Sequence, residues 1–318
     1  MSKTSTIFFG SGNFAVKILE NLLTLDYLDI KAVITQPDKE AGRKKKLTPP
    51  PLKKFLDSES PVAVPHLLQP EKIKLASAEI LKNFKPELII VADYGQMIPN
   101  DIIDYPKYKC LNIHGSLLPK YRGAVPAAMA ILNGESITGV SIPVMTYGLD
   151  NGAIIASRET MILPKDTTLD LRMRLAVLAN ELLNDVLPQW LKGKIQAIPE
   201  DESKATLTWE KDLSKEKAQI KLDTTAEQAE RMVRAFSPWP IAWVKVNFLG
   251  KEKRLKIYSA QSAEAFNSHQ VGIFFKQNKK LFLSLQGGIL ELQQLQLEGK
   301  NLIKAEDALF LNQTTMLE

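Results

Sequence analysis

Residues 5–35 read STIFFGSGNFAVKILENLLTLDYLDIKAVIT, and this stretch decides the fold. Residues 5–10 form a run typical of a buried strand, and residues 14–25 place their apolar side chains on one side of a helix. Residues 30–35 are again of strand type. Because parallel strands are joined by a crossover that is usually a helix, the stretch predicts a parallel βαβ unit.

The same alternation continues along the chain toward residue 190. We predict further helices at 73–84, at 124–133 and from Asp166 or Thr167 toward Trp190, and further strands at 87–92, 109–114, 140–145 and 153–163. Strands that alternate with helices are typical of α/β domains. The sequence therefore predicts a Rossmann-like domain with a mostly parallel sheet over residues 1–205.

A different pattern follows the polar stretch 193–208, which we interpret as a linker. Thr225 is suited to cap a helix over residues 226–236. Five short strand-like runs come next, at 242–249, 253–260, 271–278, 280–287 and 289–297. Five short strands favour a small OB-like β-barrel, so we predict that residues 206–318 form a second domain of this type.

Composition narrows the class of protein. The chain has 318 residues, of which 45% are hydrophobic, which is enough for two packed domains without disulfides. Its single cysteine, Cys110, excludes an intramolecular disulfide and a multi-cysteine zinc site. No apolar run reaches the length of a signal segment or a membrane span, so we expect a cytoplasmic protein.

The turn at residues 10–15 matches the G-x-G-x-x-A pattern that brings a backbone close to a pyrophosphate. A dinucleotide site also needs an acidic residue about 20 positions later, and that position reads Thr35-Gln36-Pro37. A dinucleotide site is therefore not supported, and a tight turn between strand and helix explains the glycines as well.

The chemistry is predicted at the end of the strand over residues 109–114. Side chains alternate along a strand, so Asn112 and His114 project to the same face, close to a carboxyl end where α/β sheets bind ligands. An imidazole can exchange a proton near neutral pH, and an amide can donate to a developing oxyanion. The pair suits acyl-type transfer, whereas a buried histidine with a purely structural role is the alternative.

Two further residues bear on this site. Asp150 lies in the turn Asp150-Asn151-Gly152, where it could orient His114 if the two meet, although Asp-Asn-Gly is also an ordinary turn sequence. Cys110 precedes Asn112 on the same face of the strand, and we interpret it as a small buried apolar side chain.

Positive charge is concentrated in two places, although the net charge of the chain is only +5. An acid-free stretch over residues 41–56 contains Arg43, Lys44, Lys45, Lys46, Lys53 and Lys54. The predicted barrel contains Lys245, Lys251, Lys253, Arg254 and Lys256, with Trp239, Trp243 and Tyr258 nearby. Basic surfaces with aromatic residues are how such barrels hold nucleic acid, so together the two regions favour RNA binding.

Over nearly its whole length the sequence resembles the methionyl-tRNA formyltransferases. Five segments carry the resemblance: residues 8–15; Thr35-Gln36-Pro37-Asp38 with residues 41–43 and 45–47; Asn112-Ile113-His114-Gly115-Ser116-Leu117-Leu118-Pro119 with 121–124 and Pro126; Gly148-Leu149-Asp150 with Gly152; and Arg234-Ala235-Phe236 with Pro238-Trp239-Pro240. The chain departs from the family at residues 151–153 and at Pro143. Neither departure changes Asn112, His114 or Asp150.

The resemblance implies transfer of a formyl group from 10-formyltetrahydrofolate to the amino group of methionine on initiator tRNA, without a metal. It assigns catalysis to Asn112, His114 and Asp150, and folate contacts to Ser116, Leu117, Leu118 and Pro119. It assigns tRNA contacts to the loop with Arg43, Lys44, Lys45 and Lys46, and to the barrel, where we select Lys251, Lys253 and Arg254. It implies initiator methionyl-tRNA and folate as partners, and neither a membrane nor an obligate protein partner is evident. The absence of a transit segment predicts a bacterial cytoplasmic protein rather than an organellar one.

The mechanism we expect is direct attack by the amine. His114, oriented by Asp150, would accept a proton from the amino group, and Asn112 would donate to the oxyanion. Two alternatives stay open from the sequence: formyl transfer to a small or sugar-linked amine, and a non-catalytic protein that binds RNA or a dinucleotide.

Overall fold

The computed structural model describes residues 3–42, 45–58, 66–264, 269–311 and 314–317. The chain forms two compact units, each made of several segments. One unit comprises Met1–Ala124, Ile137–Met161 and Arg172–Leu207, and the other comprises Val125–Ser136, Ile162–Leu171 and Thr208–Glu318.

The first part of the chain alternates strands and helices. The strands are β1 (Thr4–Gly10), β2 (Leu28–Ile34), β3 (Lys39–Ala41), β4 (Lys46–Thr48), β5 (His66–Leu68), β6 (Leu88–Ala92) and β7 (Cys110–Asn112). The helices are α1 (Asn13–Leu22), α2 (Pro51–Ser58), α3 (Ile73–Phe84) and α4 (Asn100–Ile103).

Five of these strands form one parallel sheet in the order β5, β2, β1, β6, β7. The predicted parallel sheet is therefore confirmed. Its central strands read as continuous apolar runs because both faces are covered, and every residue of β6 is buried. The carboxyl end of β7 is the edge at which Asn112 and His114 lie.

The segment that contains the basic loop of the sequence analysis includes regular structure that the sequence did not predict. It contains a short antiparallel hairpin in which Lys39 pairs with Thr48 and Ala41 with Lys46. Its strands are only three residues long and mix charged, polar and apolar residues, so the sequence shows no periodic pattern for them.

The glycines of residues 10–15 are required by close packing. A Cβ at Gly10 would lie 2.8 Å from the carbonyl oxygen of Ala92, and one at Gly12 would lie 2.5 Å from Asp93 Oδ2. The Asp93 carboxylate, which is paired with Arg172, therefore stands against the turn. Close packing in a tight turn therefore accounts for both glycines, which is the alternative that the sequence analysis gives for them.

The middle of the chain supplies β8 (Arg122–Gly123), α5 (Pro126–Leu132), β9 (Ile137–Pro143), β10 (Ile154–Met161) and α6 (Thr168–Leu191). β9 and β10 are antiparallel. Thr167 precedes α6 and accepts a hydrogen bond from Asp170 N at 3.3 Å, while the Asp170 carboxylate accepts from Thr167 N at 3.1 Å. This reciprocal cap fixes the beginning of the predicted long helix.

The last part contains α7 and a β-rich fold. Its elements are β11 (Leu207–Thr208), α7 (Ala226–Ala235), β12 (Trp243–Phe248), β13 (Lys251–Ala263), β14 (Phe274–Gln277), β15 (Lys280–Leu285), β16 (Gly288–Leu297), β17 (Ile303–Lys304) and β18 (Met316–Leu317). The predicted cap of α7 is confirmed, because Thr225 Oγ1 accepts from Gln228 N at 3.1 Å.

The antiparallel strands run in the order β14, β15, β16, β13, β12, β18. The chain end pairs with both edges: Val246 of β12 is opposite Met316, and Phe274 N of β14 donates to Thr314 O at 2.9 Å. The sheet is thereby curled into the predicted OB-like barrel, around an apolar core that includes Phe274, Leu283 and Leu290. Among the described helices, none is long and apolar enough to cross a membrane.

Candidate active site

The end of β7 and the neighbouring strand β9 hold His114 in place. His114 N donates to Ser141 O at 2.9 Å, and Ser141 N donates to His114 O at 3.0 Å, so the backbone is fixed by a reciprocal pair. The His114 side chain is 6% exposed.

Cys110, two residues before Asn112, is fully buried, and its Sγ lies 3.5 Å from Met145 Sδ. Burial raises the pKa of the thiol. Both observations agree with the predicted role as a small apolar side chain.

The structure brings Asn112, His114 and Asp150 together. Asn112 Nδ2 donates to Asp150 Oδ1 at 2.9 Å, and His114 Nδ1 lies 3.6 Å from Asp150 Oδ2. A backbone group completes the carboxylate's contacts, because Gly123 N donates to Asp150 Oδ2 at 2.9 Å. The meeting of Asp150 with the other two residues, left open by the sequence, is thus a feature of the fold.

The turn that carries Asp150 depends on its local backbone. Asp150 has a positive φ of 44°, a conformation that aspartate tolerates better than most residues. A Cβ at Gly152 would lie only 1.7 Å from the carbonyl oxygen of Val144, so only glycine fits there. The turn therefore lies tightly against the end of β9 and points the carboxylate at β7.

The hydrogen bonds of His114 define its tautomer. His114 Nε2 lies 2.9 Å from the carbonyl oxygen of Tyr121. Because a carbonyl can only accept, Nε2 is the protonated nitrogen, and in the neutral ring the lone pair is on Nδ1, which faces Asp150. A proton that arrives at Nδ1 would create an imidazolium next to a carboxylate, which stabilises it.

Asn112 retains a donor for a ligand. Its amide has two N–H groups, and Asp150 takes one of them. The other has no partner among the described residues, and the amide is fixed in orientation by the bond to the carboxylate. An arrangement of one fixed base and one fixed donor is suited to acyl transfer to an amine.

The residues predicted to contact folate lie in a turn directly after this site. Ser116 is fully buried and its Oγ donates to Lys120 O at 2.6 Å, while Leu118 N donates to Ser141 Oγ at 3.1 Å. Leu117 and Pro119 are half-buried. Their folate contacts stay a prediction, and the Ser116 hydroxyl is already engaged within the turn.

The basic loop is described only in part. Arg43 and Lys44 lie outside the described residues, whereas Lys45 and Lys46 are exposed on the hairpin of β3 and β4. The base of the hairpin is anchored by Asp38, which accepts from Gln69 Nε2 at 2.8 Å and pairs with Lys53 at 3.2 Å.

The basic residues of the barrel are divided between the two faces of β13. Lys251 and Lys253 share a face with the buried side chain of Leu255, at the exposed start of the strand. Arg254 lies on the opposite face, where its guanidinium is 4.7 Å from the ring centre of Trp243. Lys245 is directly opposite Arg254 on β12. The basic residues that the sequence analysis groups together on the barrel therefore form two patches, one on each face of β13.

The sequence does not predict the contacts of Tyr121 with His114 and of Gly123 with Asp150. Both contribute through backbone atoms, one carbonyl and one N–H, which leave no signature in residue type. The pattern Tyr121-Arg122-Gly123 contributes to the family resemblance, but that resemblance assigns no role to it. Within the described residues, no cluster of His, Cys, Asp and Glu is placed to hold a metal ion.

Comparison with known proteins shows what kind of protein carries this site. A model of the formyl transferase family matches residues 3–187, and a model of the formyl transferase C-terminal domain matches residues 212–312. The methionyl-tRNA formyltransferase of Dictyoglomus turgidum is 42% identical over 300 residues, which are 92% of each chain. The chain belongs to the methionyl-tRNA formyltransferase family. The predicted resemblance and the prediction of an enzyme are confirmed.

A further relative agrees with this membership, and a solved structure shares the fold. The methionyl-tRNA formyltransferase of Myxococcus xanthus is 35% identical over 310 residues, 97% of this chain and 95% of the relative. The N-formyltransferase of Helicobacter canadensis, solved with folinic acid and dTDP-3-aminofucose, has a TM-score of 0.63 over 91% of this chain and 99% of that chain. Its sequence is 18% identical, so this likeness shows the fold alone.

Proposed function

We propose that this member of the methionyl-tRNA formyltransferase family transfers the formyl group of 10-formyltetrahydrofolate to the amino group of methionyl initiator tRNA in translation initiation. The observation that carries the proposal is the meeting of Asn112, His114 and Asp150 at the end of β7 in a chain of this family. Each of the three has a partner that fixes its orientation.

His114 acts as the base through Nδ1. The amino group must lose a proton to attack, and Nδ1 is the ring nitrogen left without a hydrogen when Nε2 donates to Tyr121 O. The imidazolium that forms is paired with Asp150, whose carboxylate is held by Asn112 and Gly123. The base is therefore oriented before the substrate arrives, and it needs no reorganisation.

Asn112 stabilises the oxygen of the formyl group through its second N–H. Because Asp150 fixes the amide, the donor already points in one direction when negative charge develops. 10-Formyltetrahydrofolate supplies the formyl group, and Ser116, Leu117, Leu118 and Pro119 are the proposed contacts. When the bond between the formyl carbon and the folate nitrogen breaks, the His114 imidazolium returns its proton to that nitrogen, and tetrahydrofolate leaves. Because the Ser116 hydroxyl is bonded to Lys120 O, the turn over residues 116–119 offers 10-formyltetrahydrofolate mainly apolar side chains and backbone groups.

The tRNA is bound by the basic hairpin and by the barrel. We assign the formyl transfer domain to residues 1–205 and the tRNA-binding domain to residues 206–318. Arg43, Lys44, Lys45 and Lys46 are the proposed contacts in the basic segment of the sequence, and Lys251, Lys253 and Arg254 those on the barrel. A reaction that uses charged tRNA places the enzyme in the bacterial cytoplasm.

The catalytic assignment is tested by His114→Asn, with His66→Asn as the matched control because His66 lies exposed on β5. We expect His114→Asn to lower single-turnover formylation of methionyl-tRNA by about 10² to 10⁴, and His66→Asn to leave it unchanged. Wild-type rates in His114→Asn would refute the role of His114. Faster formylation of a nucleotide-linked amino sugar than of methionyl-tRNA would refute the acceptor.

A further inference from the structure

A buried ion pair lies directly behind the site, and the mechanism above does not use it. Arg122 is 5% exposed and is the residue between Tyr121 and Gly123. Tyr121 O accepts from His114, and Gly123 N donates to Asp150. The two backbone groups that orient the proposed base and its carboxylate therefore flank one buried guanidinium.

Arg122 is held by two glutamates of very different exposure. Its Nε donates to Glu200 Oε2 at 3.0 Å, and its Nη2 also contacts that oxygen. Its Nη1 and Nη2 donate to Glu202 at 2.9 and 2.7 Å. The Glu200 side chain is completely buried, whereas the Glu202 side chain is 67% exposed.

Glu200 is unusual for a buried carboxylate. Its Oε1 is buried and accepts no hydrogen bond from the described residues. The pKa of Glu200 is raised above its ordinary value: burial is the largest cause, Arg122 opposes it, and the charges of Glu202 and Asp150 raise the pKa further. Glu200 is therefore buried with one oxygen unpaired among the described residues, and it lies within the electrostatic reach of Asp150.

The backbone between these contacts is also held in an uncommon conformation. Tyr121 has a φ of 60°, which is rare for an aromatic residue and persists only where neighbouring contacts enforce it. Thr206 provides two such contacts, because Tyr121 N donates to its Oγ1 at 2.7 Å and Arg122 N to its carbonyl oxygen at 2.9 Å. The next residue is Arg122, whose buried side chain is held by Glu200 and Glu202.

We infer that Arg122 and Glu200 are positioning residues for formyl transfer: their ion pair fixes the backbone of Tyr121 and Gly123, and through it the ring of His114 and the carboxylate of Asp150. The inference rests on the proposed roles of His114 and Asp150. The charged groups that face Glu200 are Arg122, Glu202 and Asp150. Neutralising Glu200 therefore changes both the backbone anchor and the charge next to the site.

The experiment compares four variants of the full chain: Arg122→Ala, Glu200→Gln, Glu202→Gln and Arg158→Ala. Arg158 forms a surface pair with Asp185 at 2.6 Å and is the matched arginine control. We expect Arg122→Ala to lower kcat by about 10², as small displacements of reacting groups do, with KM for methionyl-tRNA nearly unchanged. Arg158→Ala should stay within about threefold of wild type, since exposed pairs contribute little. Glu202→Gln should lower kcat less than Arg122→Ala does, because Glu202 is 67% exposed and Glu200 still holds the guanidinium.

Glu200→Gln keeps the shape of the side chain and removes its charge, so it separates folding from positioning. The negative charge of Glu200 favours the protonated form of the catalytic base. Its loss should therefore move the rising limb of the plot of kcat/KM against pH to lower pH by about one unit. Glu202→Gln should leave the limb in place. Equal profiles for wild type, Glu200→Gln and Glu202→Gln would overturn the electrostatic part of the inference.

Nitrogen NMR of the His114 ring gives a readout independent of turnover. The chain has three histidines, and His114→Asn identifies the signal of interest. Wild type should show the proton on Nε2, and Arg122→Ala should lose this preference while 5-formyltetrahydrofolate still binds. An unchanged tautomer together with normal kcat in Arg122→Ala would overturn the inference. If His114→Asn were also fully active, the proposed function would be the part that failed.

Discussion

His114 Nδ1 lies 3.6 Å from Asp150 Oδ2, while Nε2 of the same ring donates to the carbonyl oxygen of Tyr121. The imidazole is therefore held from both sides, and its two nitrogens have different tasks. Nε2 fixes the ring, and Nδ1 is left as the base beside a carboxylate that stabilises its protonated form. The catalytic proposal depends on this division.

Asp150→Asn should lower the formylation rate by about 10² to 10⁴, as expected when a general base loses its partner. The amide keeps the size of the side chain but offers an N–H to the lone pair of His114, which blocks the base. Single-turnover measurements with methionyl-tRNA test this, and Asp185→Asn on the surface is the control. A rate within a few-fold of wild type would remove Asp150 from the mechanism.

Asn112→Ala should cost about 10² to 10³ in rate, the usual effect of losing one oxyanion donor. The loss should appear in kcat, since the donor acts when charge develops on the formyl oxygen. Affinity for 5-formyltetrahydrofolate, measured by calorimetry, should change little. If turnover were nearly normal, Asn112 would have no place in the mechanism.

Arg43→Ala should weaken the use of methionyl-tRNA while folate binding survives. An arginine on a phosphate contributes mainly through counterion release, so the slope of log affinity against log salt should fall by about 0.9. Affinity for tRNA measured between low and high salt tests this, with Arg158→Ala as the control. Equal loss of folate and tRNA binding would contradict the assignment.

Asp38 should make stability depend on acid pH. The hydrogen bond from Gln69 and the charge of Lys53 lower its pKa below the ordinary 3.8, so the folded state binds fewer protons than the unfolded state. The contribution is therefore present above pH 3.8 and is lost as pH falls through the lower, folded value. Urea unfolding should show wild type and Asp38→Asn converging as the pH is lowered. A gap that stays constant with pH would contradict this prediction.

The sequence predicts the sheet and part of the site for simple reasons. Alternation along a strand is enough to place Asn112 and His114 on one face, and continuous apolar runs such as β6 identify the buried parallel strands. The boundaries of α3 agree with the predicted residues 73–84 because its apolar stripe is uninterrupted.

The rest depends on contacts between distant residues. Asn112 and Asp150 are 38 positions apart, and Arg122 and Glu200 are 78 apart, so no local pattern encodes either pair. Tyr121 and Gly123 act through the backbone, which any residue type possesses. The hairpin of β3 and β4 is not predicted for a related reason, since its strands are three residues long and pair through main-chain groups.

Mass spectrometry tests whether methionyl initiator tRNA is the acceptor of the formyl group. The enzyme is incubated with 10-formyltetrahydrofolate and methionine-charged initiator tRNA, with charged elongator tRNA alongside, and formylmethionine is measured. We predict formylmethionine on the initiator and none on the elongator. No product on either tRNA, with formylation of a small amine under the same conditions, would contradict the account.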